Sequence, residues 1–233
     1  MQKFSLSLLS ILLLFVCTPR LAAQTTVAIT ATDAPAKKSG DKNATVFRYL
    51  FENERFTTQR IRVEFDQAGQ GIFSLTKKNS DEVVNKLQLS AGLVAQLQGL
   101  LDAADFLAGS ESYQHKKDFS HLGAVSITYA RNGRERTAKF NYTEHPLMNR
   151  IAELFRNIAN QEERIYDLQN AREADPLSTP KQMQLLENEF KSHRLADPAR
   201  LITYLEELKL DEGIPLISRN HADRLIRMIQ KQK

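Results

Sequence analysis

Alternation of apolar and polar residues predicts a first β-hairpin early in the chain. Residues 60–65 alternate apolar and charged side chains, the period of two that is typical of a half-buried strand. A second strand is predicted to begin at Ile72, and the Asp, Gln and Gly residues between the two predict a hairpin loop longer than two residues. A short apolar strand at 47–51 is expected beside this hairpin.

A second hairpin has the stronger sequence signal. Residues 124–129 and 134–142 both alternate, and Asn132-Gly133 joins them. This dipeptide adopts the positive φ angles of a tight primed turn more readily than others do.

Helical spacing follows each hairpin. Ser90 is expected to cap a helix whose apolar residues lie on one face and which ends near 107–109. Pro146 is suited to the first turn of a long helix reaching about Ala174, because a proline lacks the N–H that would be unpaired there.

Together these elements predict an α+β fold over residues 46–174. We expect an antiparallel sheet formed from two hairpins, with two helices on one face, in the order ββαββα. The other face would be solvated or covered by a partner. Residues 175–233 predict an all-helical C-terminal subdomain with helices beginning near Pro180, Asp197-Pro198 and Asn220.

The N-terminus predicts export. Residues 1–23 combine Lys3, an apolar run and small residues before Gln24, which is typical of a cleavable signal peptide. The run is shorter than the roughly 20 residues of a permanent anchor. Acylation at Cys17 and an uncleaved anchor are the alternatives. Residues 24–45 have few large apolar side chains and predict a flexible leader. From the signal peptide we expect a periplasmic or secreted protein without a stable membrane anchor after cleavage.

Composition narrows the chemistry of the exported chain. Cleavage removes Cys17, the only cysteine, which excludes disulfides and cysteine catalysis. Removing Lys3 and Arg20 leaves only +2 of the formal net charge of +4. The sequence has no concentrated cluster of basic residues of the kind that binds nucleic acid. The absence of tryptophan argues against a carbohydrate-binding face built from stacked aromatic side chains.

Established catalytic motifs are absent from the sequence. It contains no phosphate-binding glycine loop, nucleophile elbow, zinc-binding HExxH helix or calcium loop. Ser74 and Lys77 have the spacing of a Ser-x-x-Lys nucleophile motif, but a strand would place them on opposite faces. His145, before Pro146, is better suited to capping a helix than to catalysis.

The polar loop at 110–122 contains the candidate binding residues His115, Asp118 and His121. Imidazole and carboxylate groups this close in sequence are able to bind a borderline cation or transfer protons near neutral pH. The alternative is a structural connection whose aromatic residues dock on the core. We expect no metal site and no cofactor, because the spacing matches no established motif.

Three segments carry a resemblance to known proteins: Leu97 to Phe106 followed by Tyr113 and Asp118, the hairpin and helix from Ala124 to Ile158, and Ile214 to Asn220. These segments resemble exported bacterial proteins grouped as domains of unknown function. The resemblance implies export and an α+β fold, and it assigns no functional residue.

The function expected from the sequence is non-enzymatic. We expect a protein-interaction or envelope-associated module, because catalytic groups do not converge while an open sheet and amphipathic helices offer partner surfaces. The alternative is a small-ligand or metal-binding protein, or an unfamiliar hydrolase, that uses the 110–122 loop.

Overall fold

The computed structural model describes residues 44–232, which contain a six-stranded antiparallel sheet and five α-helices. The strands are β1 Val46–Glu52, β2 Thr58–Asp66, β3 Gln70–Lys77, β4 Glu82–Gln88, β5 Ala124–Arg131 and β6 Arg134–Phe140. The helices are α1 Ala91–Ala103, α2 Pro146–Ala174, α3 Thr179–Lys191, α4 Leu201–Leu210 and α5 Leu216–Lys231. The mixed helix and sheet composition confirms the predicted class.

The strand order corrects the predicted ββαββα arrangement. The first four strands form a meander, and the β5–β6 hairpin joins the free side of β1, giving the order β4-β3-β2-β1-β5-β6. The order along the chain is therefore ββββαββα. The sequence did not predict strand β4, because the adjacent Val83 and Val84 interrupt the alternation of apolar and polar residues. The strand is formed by antiparallel pairing with β3.

Local sequence signals are correct at several element ends. The Ser90 side chain accepts a hydrogen bond from the backbone N–H of Leu93 and caps α1. Asn132 and Gly133 both have positive φ angles, 53° and 74°, in the turn between β5 and β6. Pro146 occupies the first turn of α2.

Two helix ends differ from the prediction. Helix α1 ends at Ala103 because Asp105 takes a positive φ of 45°, which turns the chain so that Phe106 enters the core. Helix α5 begins directly after Pro215 and includes Asn220, which therefore does not cap it.

One face of the sheet is covered by α1 and α2. Alternate strand residues such as Phe47, Val63 and Ile127 are fully buried in the same cluster as Leu97 and Phe155 of these helices. The opposite face is polar and more exposed, with Arg48 bridging Glu64 and Glu135 at 3.3 Å each. We call it the open face.

Helix α2 contributes to a second buried cluster near its C-terminal end. Its residue Leu168 lies there with buried side chains of α3, α4 and α5, such as Leu186, Leu205 and Leu225. Helix α2 thus belongs to both clusters. The domain boundary expected between residues 174 and 175 stays a prediction. The signal peptide 1–23, and all but the last two residues of the expected leader 24–45, lie outside the described residues.

Candidate functional site

The three candidate residues of the 110–122 loop make separate local contacts. The ring of His115 packs against those of Phe119 and Tyr142, with centroids 5.4 and 5.5 Å away. Its Nδ1 accepts the backbone N–H of Lys117 at 3.0 Å, and its Nε2 lies 3.4 Å from Glu144. These contacts hold the imidazole against the aromatic side chains.

Asp118 and His121 are engaged differently. Asp118 accepts a hydrogen bond from the Asn141 side chain, and the backbone carbonyl of His121 accepts one from Asn53 Nδ2 at 3.1 Å. Within residues 44–232, no group of three or more His, Cys, Asp or Glu side chains is placed to hold a metal ion. The metal-binding form of the hypothesis therefore gains no support from the described chain.

Two other sequence candidates have structural roles. Ser74 lies on a strand, as expected, and its buried hydroxyl donates to Glu82, while Lys77 pairs with Asp167 on α2 at 2.6 Å. His145 Nδ1 accepts the backbone N–H of Met148 at 3.2 Å and caps α2.

The loop nevertheless forms one wall of a cleft at the end of the open face. The cleft has a volume of about 600 Å³, within the range of about 300–1,000 Å³ seen for small-ligand pockets. Three segments line it: the end of β1 with the following turn, the 114–123 part of the loop, and the adjoining ends of β5 and β6. Gln114 and Ser120 are the loop side chains that reach it.

Side-chain amides fix this wall in place. Gln114 Nε2 donates to Asn141 Oδ1 at 2.7 Å, and Gln114 Oε1 accepts the backbone N–H of Asn141 at 2.8 Å. Asn141 Oδ1 also accepts the backbone N–H of Phe119 at 3.3 Å. The loop is thus joined to the end of β6 by several hydrogen bonds.

The first part of the loop and the end of β1 are also anchored. Arg136 of β6 donates to the backbone carbonyls of Phe106 and Glu111 at 2.8 and 2.7 Å. Gly123 has a φ of +92°, and a Cβ there would lie 2.7 Å from the Phe51 ring, so the loop closes against β1 only with glycine.

Removing the Asn141 side chain is expected to release this loop. Asn141→Ala removes the acceptor of the Gln114 Nε2 and Phe119 N–H groups and the donor to Asp118, at a cost of about 1–3 kcal/mol, while the bond from the backbone N–H of residue 141 to Gln114 remains. Amide hydrogen exchange of residues 114–122 should accelerate by about tenfold or more. Asn149→Ala, an exposed change on α2, is the matched control, and unchanged protection in Asn141→Ala would contradict the anchoring role.

Charges of both signs border the cleft. Glu54, Arg55 and Lys139 form no ion pair with any residue in the described part of the chain, and Glu52 forms only a long one, 3.6 Å to Arg60. Short sequence motifs contain no signal for this set, because Lys139 comes close to Glu52, Glu54 and Arg55 only when β1, β5 and β6 are placed side by side.

A second polar cluster lies at the boundary between the interior and the surface of the helical bundle, where Glu187 and His221 are buried and Lys191 and Arg224 are more than half exposed. The carboxylate of Glu187 is 4% exposed and contacts His221, Arg224 at 2.6 Å and Lys191 at 2.5 Å. Burial would raise the pKa of Glu187, but hydrogen bonds from the three partners outweigh it and lower the pKa to about 2. Because the buried carboxylate has all its partners within the cluster, we interpret the cluster as structural.

One end of the bundle exposes a group of aliphatic side chains, which we call the end patch. It consists of Leu177, Leu210, Leu216 and Ile217, with exposed fractions of 81%, 77%, 61% and 65%. The α2–α3 and α4–α5 corners that carry them are tied together by the buried Thr179–Ser218 hydrogen bond and the Arg172–Asp211 ion pair.

No family model matches the chain, and no curated protein matches it. Among the described residues, no helix has both the length and the apolar character needed to cross a bilayer.

Proposed function

We propose that this chain is an exported, non-enzymatic protein that binds a partner protein through its end patch. The supporting observation is the exposure of four large aliphatic side chains at one end of the bundle. Isolated exposed aliphatic residues are common on soluble proteins, but grouped ones mark interaction sites. Export rests on the predicted signal peptide alone.

The energetics favour binding at this surface. Burying an aliphatic side chain that was exposed contributes about 1.5–3 kcal/mol, so a partner covering all four gains a substantial apolar term. The supporting corners are already held by buried contacts such as Thr179–Ser218, and little further ordering is needed on binding.

The histidines support binding over catalysis. His145 caps a helix, His221 is buried against Glu187, and His115 is held among aromatic rings. None of these three is combined with a nucleophile and a substrate cleft in the described residues.

Photo-crosslinking tests the proposal. We expect a photoreactive phenylalanine analogue at position 217 to crosslink one discrete partner in an envelope extract, whereas the same group at position 84 should not. Val84 is the matched control because it is also aliphatic and exposed, 52%, but lies on the edge strand β4.

A second substitution makes the crosslinking result specific. Leu177→Ser should weaken the crosslink at 217 by about tenfold or more, since central apolar contacts contribute about 2 kcal/mol each. Val84→Ser should leave it unchanged. Equal labelling from both positions, indifference to Leu177→Ser, or crosslinks only to a second copy of the chain would contradict the proposal.

A further inference from the structure

We propose that the cleft on the open face binds short peptides with free amino and carboxyl ends. This site is separate from the end patch and does not depend on partner binding there. The inference rests on the cleft's charges, their spacing across the sheet and the rigidity of its walls.

The charges of the cleft define the ligand class. Lys139 has no carboxylate partner among residues 44–232, and Glu54 has no cationic one, so both charged groups remain available to a ligand. A ligand of a single sign would meet repulsion from one side of the cleft. Because the lining is mostly charged, amide and hydroxyl groups, an apolar ligand would bury them without hydrogen bonds.

The spacing of these charges favours a peptide over a single amino acid. Glu52 is on β1 and Lys139 is on β6, with β5 between them. Neighbouring strands lie about 4.8 Å apart, so the two backbones are on the order of 10 Å from each other. An extended chain advances about 3.3–3.6 Å per residue, and about three residues would span that distance.

The side chains take complementary roles in this arrangement. Lys139 binds the terminal carboxylate, and Glu52 and Glu54 bind the terminal ammonium group. Arg55 donates to peptide carbonyls. The hydroxyls of Ser120 and Ser126 form no hydrogen bond with another described side chain or backbone group and remain free for the peptide backbone.

The cleft requires little reorganisation to bind. The amides of Gln114 and Asn141 bond one another, and Asn53 bonds the backbone of His121 and Arg55, so these walls exist before the ligand arrives. A preformed wall lowers the entropic cost of ordering a flexible peptide.

Titration of the ¹⁵N-labelled protein tests the proposal by NMR. The probes are a random tripeptide pool with free ends, the same pool N-acetylated and C-amidated, and a mixture of free amino acids. We expect the free-ended pool to shift the amides of Gly123, Ala124 and Asn141 saturably. The blocked pool and the amino acids should bind about tenfold more weakly or worse.

A pair of lysine variants provides the matched control. Lys139→Ala should weaken the free-ended pool by about tenfold and abolish its advantage over a C-amidated pool. Lys86→Ala removes an exposed lysine of the open face at the opposite edge of the sheet and should change nothing.

Any of three results would overturn the inference. They are no saturable shift of the cleft amides, equal affinity for free and blocked peptides or for amino acids, and indifference to Lys139→Ala. End-patch variants such as Leu177→Ser should bind the tripeptide pool normally, which separates a failure here from a failure of the partner-protein proposal.

Discussion

Replacing Phe155 by alanine is expected to lower the free energy of unfolding by about 3–5 kcal/mol. The Phe155 side chain is fully buried on α2, with its ring 5.4 Å from that of Tyr49 and 6.2 Å from that of Phe65. It therefore joins α2 to the two central strands of the sheet. Urea unfolding followed by circular dichroism measures the change.

The matched control is Phe56→Ala. Phe56 is 46% exposed and lies in the turn after β1, so its truncation should cost less than about 1 kcal/mol. Domains of this kind are stable by only about 5–15 kcal/mol, so the Phe155 effect should be a large fraction of the total. Equal midpoints for the two variants would show that α2 does not depend on this contact.

The second large effect is expected from Glu187→Gln. Lowering the pKa of Glu187 from 4.5 to about 2 stabilises the folded protein near neutral pH, and because Lys191 and Arg224 are more than half exposed, solvent screening reduces the contribution to about 1–2 kcal/mol. The variant should lose about that amount, because Lys191 and Arg224 then lack their carboxylate and His221 keeps only a neutral partner.

The pH dependence has a definite sign. The native carboxylate of Glu187 stays ionised down to about pH 2, whereas the unfolded one takes up a proton near its ordinary pKa of 4.5. Unfolding thus binds a proton in that window, and stability is lost as pH falls through it. Burial lowers the pKa of His221 despite its contact with Glu187. The unfolded state therefore binds a proton at this histidine first, and the free energy of unfolding decreases further as the pH falls below 6.5.

Unfolding at about pH 6 and about pH 3 separates these contributions. The difference in free energy of unfolding between the unmodified protein and Glu187→Gln should be smaller at the lower pH, because the unmodified protein loses the contribution of its ionised carboxylate. Glu206→Gln, on the exposed side of α4, should match the unmodified protein at both values. A gap that stays constant would show that Glu187 contributes by shape and not by charge.

Sequence patterns predicted the elements whose information is local. The Asn132-Gly133 turn, the Ser90 cap and the Pro146 helix start depend on a few neighbouring residues and were correct. Strand β4 was not predicted. It is an edge strand that is held by hydrogen bonds to β3, and such a strand does not need a regular alternation of apolar and polar residues.

The sequence singled out His115, Asp118 and His121 as binding residues, and their role stays a prediction. The 110–122 loop does form a wall of the cleft, but Gln114 and Ser120 reach the cleft, whereas His115, Asp118 and His121 contact the loop's own surroundings. Histidine and carboxylate residues are candidates in a sequence because they bind metal ions and transfer protons. Which side chain points into a cleft depends on how the loop is anchored, here by Asn141 and Arg136.

The sequence by itself determined the α+β class, the Asn132-Gly133 turn, the Ser90 cap and the expectation of export, because each depends on residues close together in the chain. Only the tertiary structure decided that β5 pairs with β1, which brings Glu52 and Lys139 to one cleft. The same holds for Leu177 and Ile217 of the end patch. The partners in both sites are distant in sequence, and their proximity arises from strand pairing and helix packing, which no local pattern encodes.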